Sequence, residues 1–189
     1  MKELTILLLC LIAGFVYMNY IRKSLYLSLV KSKIDNREYL VRNLPDNQEA
    51  ADQLSRLSQI LLQLLDSLPE DENKHTKRLK ERFNPKHITE NIPGSMYVAY
   101  SVNKGDELSI CIRHKETEKF LDMNTILFVA IHELSHIMTE ETGHTKLFWE
   151  NMKYLLEKAI EIGIYTPIDY SREPVKYCGM IINSSPLEI

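Results

Sequence analysis

The sequence predicts a small α+β domain carried behind an N-terminal transmembrane helix, and three observations lead there. Residues 4–21, LTILLLCLIAGFVYMNYI, contain no charged side chain. Two β-rich runs, SMYVAYSV and LSICIR, flank the polar, glycine-containing NKGDE, the pattern of a hairpin. Most of the remaining chain carries apolar residues at helical spacing, broken by proline and glycine.

The apolar N-terminal run would be roughly 27 Å long as a helix, close to the roughly 30 Å of a bilayer core. Tyr17 and Tyr20 stand near one end of it, where an interfacial aromatic belt would place them. No small-residue cleavage site follows, so an uncleaved anchor is expected in place of a signal peptide. Arg22, Lys23, Lys31, Lys33 and Arg37 follow the run, whereas Lys2 before it is offset by Glu3. The positive flank predicts a single-pass protein with its main domain on the cytoplasmic side. The expected organisation is an anchor over 1–23, a juxtamembrane helix or linker over 24–42, and one domain over 43–189.

Composition narrows the function classes. A formal net charge of −3 argues against a nucleic-acid binder. Cys10 falls in the apolar run, and Cys111 and Cys178 stand far apart with no CxxC. That pattern is no disulfide framework and favours a reducing compartment, with Cys111 a small apolar packing residue.

In the soluble part, Pro45 with Asp46 or Asn47 opens a helix that Pro69 ends, with Leu54, Leu57, Ile60, Leu61, Leu64, Leu65 and Leu68 on one face. A charged helix over 72–83 carries Lys74, Lys77, Arg78, Lys80 and Arg82 and reads as a solvated face, with His75 and His87 on the surface. After the hairpin, Asp122 or Asn124 caps a helix containing TILFVAIHELSHIMTE, which Gly143 ends. A last helix over 145–162 buries Leu147, Phe148, Met152, Leu155, Leu156, Ala159 and Ile160, and Gly163 stops it. The tail from 165 to 189 reads as irregular or short-stranded.

His132-Glu133-Leu134-Ser135-His136 is an H-E-x-x-H pattern within the first of these two helices. Residues i and i+4 share a helix face, so two imidazoles there are placed to bind one zinc ion. Glu133 projects beside the metal and not onto it, the position of a general base for a zinc-activated water. A third protein ligand is required, with a fourth position left for water. His144, just beyond Gly143, is the first candidate; Glu157 or Glu161 on the next helix is the alternative, and Glu150 a weaker one. Histidine ligands suit zinc without excluding iron or manganese.

The stretch HELSHIMTEETGHTKLFWENMKYLLEKA resembles the active-site region of zincin metallopeptidases, and within these the WLM and SprT-like group. That group has a HELxH helix, a third histidine after a short glycine-containing turn, and a helix opening with paired aromatics, here Gly143, His144, Phe148 and Trp149. The resemblance implies a small zincin-like domain with a short, mainly antiparallel sheet. It implies zinc on His132, His136 and His144, with Glu133 as base in peptide-bond hydrolysis. It also implies that the ELSICIR strand is the edge against which an extended protein or peptide substrate pairs. An oxyanion donor would come from Tyr165, Tyr170 or Tyr177, each of which also suits packing. The step from His136 to His144 is longer than the six residues usual in the group. The group's better-known members are soluble and act on protein crosslinked to DNA; with an anchor and no DNA-binding tail here, that role is not carried over. Two other readings compete: a zinc-stabilised binding module without turnover, and a membrane-tethered interaction protein using the leucine face of 54–68.

Overall fold

The leucine face of residues 54–68 becomes the centre of the core. In this computed structural model, which describes residues 2–69 and 74–187 (without the side chains at 2, 3, 15, 16, 18–20 and 22–24), five helices and seven strands are seen. Helix α1 spans Lys2–Tyr26, and strands β1 (Leu27–Lys31) and β2 (Glu38–Arg42) follow. Helix α2 (Asn47–Ser67) fully buries Ala50, Ala51, Leu54, Leu57, Leu61 and Leu64. These positions repeat at three and four residues, so one face meets the β1–β2 hairpin, β3 and α5 at once.

The expected membrane anchor finds no support. Among the described residues, no helix is long and apolar enough to cross a membrane. Part of the 4–21 stretch has side chains outside the described ones; the described ones from Leu4 to Ile12 are exposed. Nor does 27–42 continue a helix. It forms the antiparallel β1–β2 hairpin, with Leu29 opposite Leu40. Tyr39 and Val41 are buried against α2. Side-chain bonds lock the hairpin down: Arg37 Nη2 donates to Ser58 Oγ at 2.8 Å and Ser32 Oγ to Asp52 Oδ1 at 2.7 Å. The five-residue strands are too short for their period to outweigh the adjoining apolar run.

Strands β3 (Ile88–Glu90), β4 (Ala99–Val102) and β5 (Glu107–Ile110) make a mixed sheet in the order β3-β5-β4. The β4–β5 hairpin is antiparallel as expected, with Val102 opposite Glu107; β3 joins β5 in parallel. This corrects the edge assignment. The ELSICIR strand is central, and β3 and β4 are the two edges of this sheet. A three-residue strand with every residue buried shows no alternation, so β3 left no sequence signal.

Helix α3 (Lys74–Arg82) buries Leu79 toward α4 and keeps most of its basic side chains outside. Helix α4 (Met123–Met138) starts where Asp122 Oδ2 accepts the Thr125 N–H at 2.9 Å, and twelve of its residues are buried. Helix α5 (Lys146–Glu161), capped by Thr145, packs along it. Between β5 and α4, Arg113 is buried at 2% exposure. Its guanidinium bonds Glu90 at 2.8 Å and Asp46 at 2.7 Å and lies over the Phe120 ring at 4.1 Å.

The tail holds a second correction. Strands β6 (Val175–Tyr177) and β7 (Met180–Ile182) form a tight hairpin through Cys178 and Gly179, both at positive φ, and Cys178 is disulfide-bonded to Cys111. The Cα atoms are 6.4 Å apart across 67 residues, within ordinary disulfide reach. Folding alone brings the two together, so their spacing carried no signal. The argument for a reducing compartment from unpaired cysteines falls with it. Chain entropy for a loop of that length corresponds to about 4 kcal/mol of stabilisation. Urea unfolding with and without reductant is expected to differ by that amount; coincident curves would mean that the bridge does not form in solution.

Candidate metal centre

Helix α4 runs with few polar interruptions through the core, and its two histidines fall one turn apart on one face. The His132 and His136 ring centroids are 4.9 Å apart. The helix stops at Met138, five residues short of Gly143, because Thr139 turns to extended backbone while its N–H still reaches Ser135 O. The loop then returns His144 to the same face, its ring centroid 4.9 Å from each of the other two. Gly143 makes that return at φ +85°, with open space where a side chain would be; conformation, not room, requires glycine here.

The donor set suits a metal. One ligand nitrogen from each of His132, His136 and His144 lies within 4.8 Å of the others, and Nε2 of His132 and Nε2 of His144 are 3.1 Å apart. A tetrahedral site with bonds of about 2.0–2.1 Å separates its ligand atoms by about 3.4 Å, so the spacing is of the right size for zinc. Burial, then His136 and His144, hold His132 down to about 3; burial, then His144 and Lys104, hold His136 to about 4. Both imidazoles are therefore neutral at pH 7 and offer lone pairs, as metal binding requires.

Phe148, fully buried at the start of α5, contacts all three rings at centroid distances of 4.9, 4.4 and 4.7 Å. It supplies an apolar backing on the protein side of the cluster. Trp149 stands beside it, 5.5 Å from His144 and 40% exposed.

Glu133 is 8% exposed, and burial pushes its carboxyl up to about 7 despite a hydrogen bond from the Ser101 backbone N–H. Ser101 lies on β4, so an edge of the sheet and the carboxylate meet. The alternative ligands stay apart: Glu161 pairs with Lys158 at 2.7 Å, Glu150 lies 3.6 Å from Lys146, and Glu157 is exposed. The cluster of three histidines includes no carboxylate.

All three candidate tyrosines are buried. Tyr165 and Tyr170 pack against Phe128, and Tyr177 donates to Cys111 O at 2.7 Å. Burial, then the charge of Glu133, raises the Tyr177 pKa well above its ordinary value. Its hydroxyl is already engaged as a donor. Sequence reading missed Ser101 and Lys104, whose part depends on where the hairpin docks.

A family model described as WLM domain matches residues 33–173. "Uncharacterized protein R325" of Acanthamoeba polyphaga mimivirus is 38% identical over 188 residues, covering 96% of this chain and 95% of its own length. "Uncharacterized protein 136R" of Invertebrate iridescent virus 6 is 28% identical over 167 residues, 82% of this chain and 89% of its own. A crystal structure of a Wss1 mutant from Saccharomyces cerevisiae has a TM-score of 0.51 at 18% identity, over 66% of this chain and 92% of that one; the likeness is one of fold.

Proposed function

This chain belongs to the WLM domain family, and on that premise we propose that it is a zinc-dependent peptidase, with His132, His136 and His144 as metal ligands and Glu133 as general base. The observation that carries the reading is the convergence of three imidazoles, two of them held neutral by burial and mutual repulsion, beside a buried carboxylate adjacent in sequence to the first.

When bound, zinc supplies Lewis acidity toward a carbonyl and lowers the pKa of water toward neutrality. The chain's own residues do the rest. The carboxyl of Glu133, at about 7 before any metal is present, suits both taking a proton from the attacking water and giving it to the leaving nitrogen. The Ser101 N–H fixes the carboxylate's orientation. The free edge of β4 offers backbone groups to an extended peptide, so the substrate would add as a strand alongside Glu133. Trp149, partly exposed beside His144, offers an apolar surface next to the metal ligands.

The test is metal content of the purified full chain together with cleavage of an unfolded protein such as casein. About one zinc per chain is expected, with cleavage lost to a chelator and restored by zinc. A folded chain that takes up no zinc would refute the reading. Zinc without cleavage of any unfolded protein or peptide would reduce it to a zinc-stabilised binding module.

A further inference from the structure

The β4–β5 hairpin turns through Asn103, Lys104 and Gly105, at φ of 49°, 56° and 127°. Asparagine and glycine enter this left-handed region readily; a lysine does so at a cost, and such an outlier invites a functional account. Asn103 is used within the turn, its side chain donating to Asp106 at 3.0 Å. Lys104 reaches out of it. Its Nζ donates to three consecutive carbonyls: Thr139 at 3.1 Å, Glu140 at 2.7 Å and Glu141 at 3.2 Å. An ammonium has three protons, and all three are used.

Those carbonyls lie at and just beyond the C-terminus of α4, where helix ends leave oxygens without partners and the macrodipole is negative. They also lie in the loop from His136 to His144. Arg78 Nε holds Ile137 O at 3.0 Å and Asn151 holds the Thr139 hydroxyl at 2.9 Å, so the helix end has other supports. The carbonyls of Glu140 and Glu141, further along the loop, are gripped by Lys104.

We propose that Lys104 is a positioning residue for the third imidazole, clamping the loop of 139–141 so that His144 meets His132 and His136. The proposal rests on the zinc-site reading above and explains how a step longer than usual still delivers the ligand. Each added residue widens the conformations open to a loop, and a tie from outside removes them. The same hairpin presents the Ser101 N–H to Glu133, so one element of the sheet seats both the base and the third imidazole.

The experiment compares the full chain with Lys104→Met and, as a control for capping alone, Arg78→Met. Hydrogen exchange is followed in the metal-free proteins, and zinc affinity is measured by competition with a chromophoric chelator. Lys104→Met is expected to speed exchange of amides 140–145 while leaving 126–136 protected, and to weaken zinc roughly 10–100-fold, the usual effect of losing a group that orients a ligand. Cobalt substituted for zinc should show an altered visible spectrum in Lys104→Met and an unaltered one in Arg78→Met. Unchanged exchange and affinity in Lys104→Met would overturn the proposal. So would a loss of affinity accompanied by equal loosening throughout α4, which would mark Lys104 as a stabiliser of the helix only. The exchange measurement needs no metal, so it decides the clamp even if the parent chain binds no zinc and the peptidase reading fails.

Discussion

Glu133→Gln is expected to lower peptide hydrolysis by about 10²–10⁴-fold or more while leaving zinc on the protein. Glutamine keeps the shape and an oxygen to accept the Ser101 N–H, but it takes no proton from water at neutral pH. The histidines are untouched, so metal content should match the parent. The same substitution has a stability signature. Burial raises the Glu133 carboxyl from 4.5 to about 7, so below 4.5 it is neutral in both folded and unfolded chain. As pH rises through 4.5 to 7 the unfolded chain loses the proton first, and the fold loses stability. By pH 8 that loss is about 3 kcal/mol at 1.36 kcal/mol per unit. The metal-free Gln variant should therefore unfold at a higher temperature than the parent at pH 8, with the gap closing near pH 4. A variant that hydrolyses peptides at the parent's rate would remove Glu133 from the mechanism.

His136→Ala should bring zinc from about one per chain to near none after dialysis, and hydrolysis with it, because two imidazoles leave a catalytic site one protein ligand short. Acid behaviour separates this from misfolding. His132 and His136 are held at about 3 and 4 against an ordinary 6.5. As pH falls below 6.5 the unfolded chain takes up protons that the folded imidazoles refuse, so stability full above 6.5 is lost progressively toward pH 3. Glu133 acts in the opposite sense between 4.5 and 7, which makes the histidine effect clearest in the Glu133→Gln background. There, the metal-free His136→Ala chain should resist acid better than the chain with all three histidines, since it has one fewer imidazole to charge and less repulsion at His132. Full zinc retention in His136→Ala would show that the ion sits elsewhere.

What the sequence determined by itself was local. The i, i+4 spacing of His132 and His136, the leucine face of α2 and the NKGD turn all act over a few residues, and each is where periodicity and turn chemistry placed it; of the two cap candidates Asp122 and Asn124, the structure uses Asp122. The family resemblance was strongest over residues 124–159, which hold the histidine motif and the helix after it. Where an apolar run stood beside weak short-range signals, the reading followed the run, and the β1–β2 hairpin was missed. Tertiary structure decided the features joining distant segments: the cysteine pair across 67 residues, β3 in parallel on β5, β4 as an edge strand beside Glu133, and Lys104 across to the loop of His144. The convergence of the three imidazoles is of the same kind. Two of them are set by one turn of helix, and the third by a loop held from another element. Such contacts arise when buried surfaces meet, and no spacing along the chain encodes them.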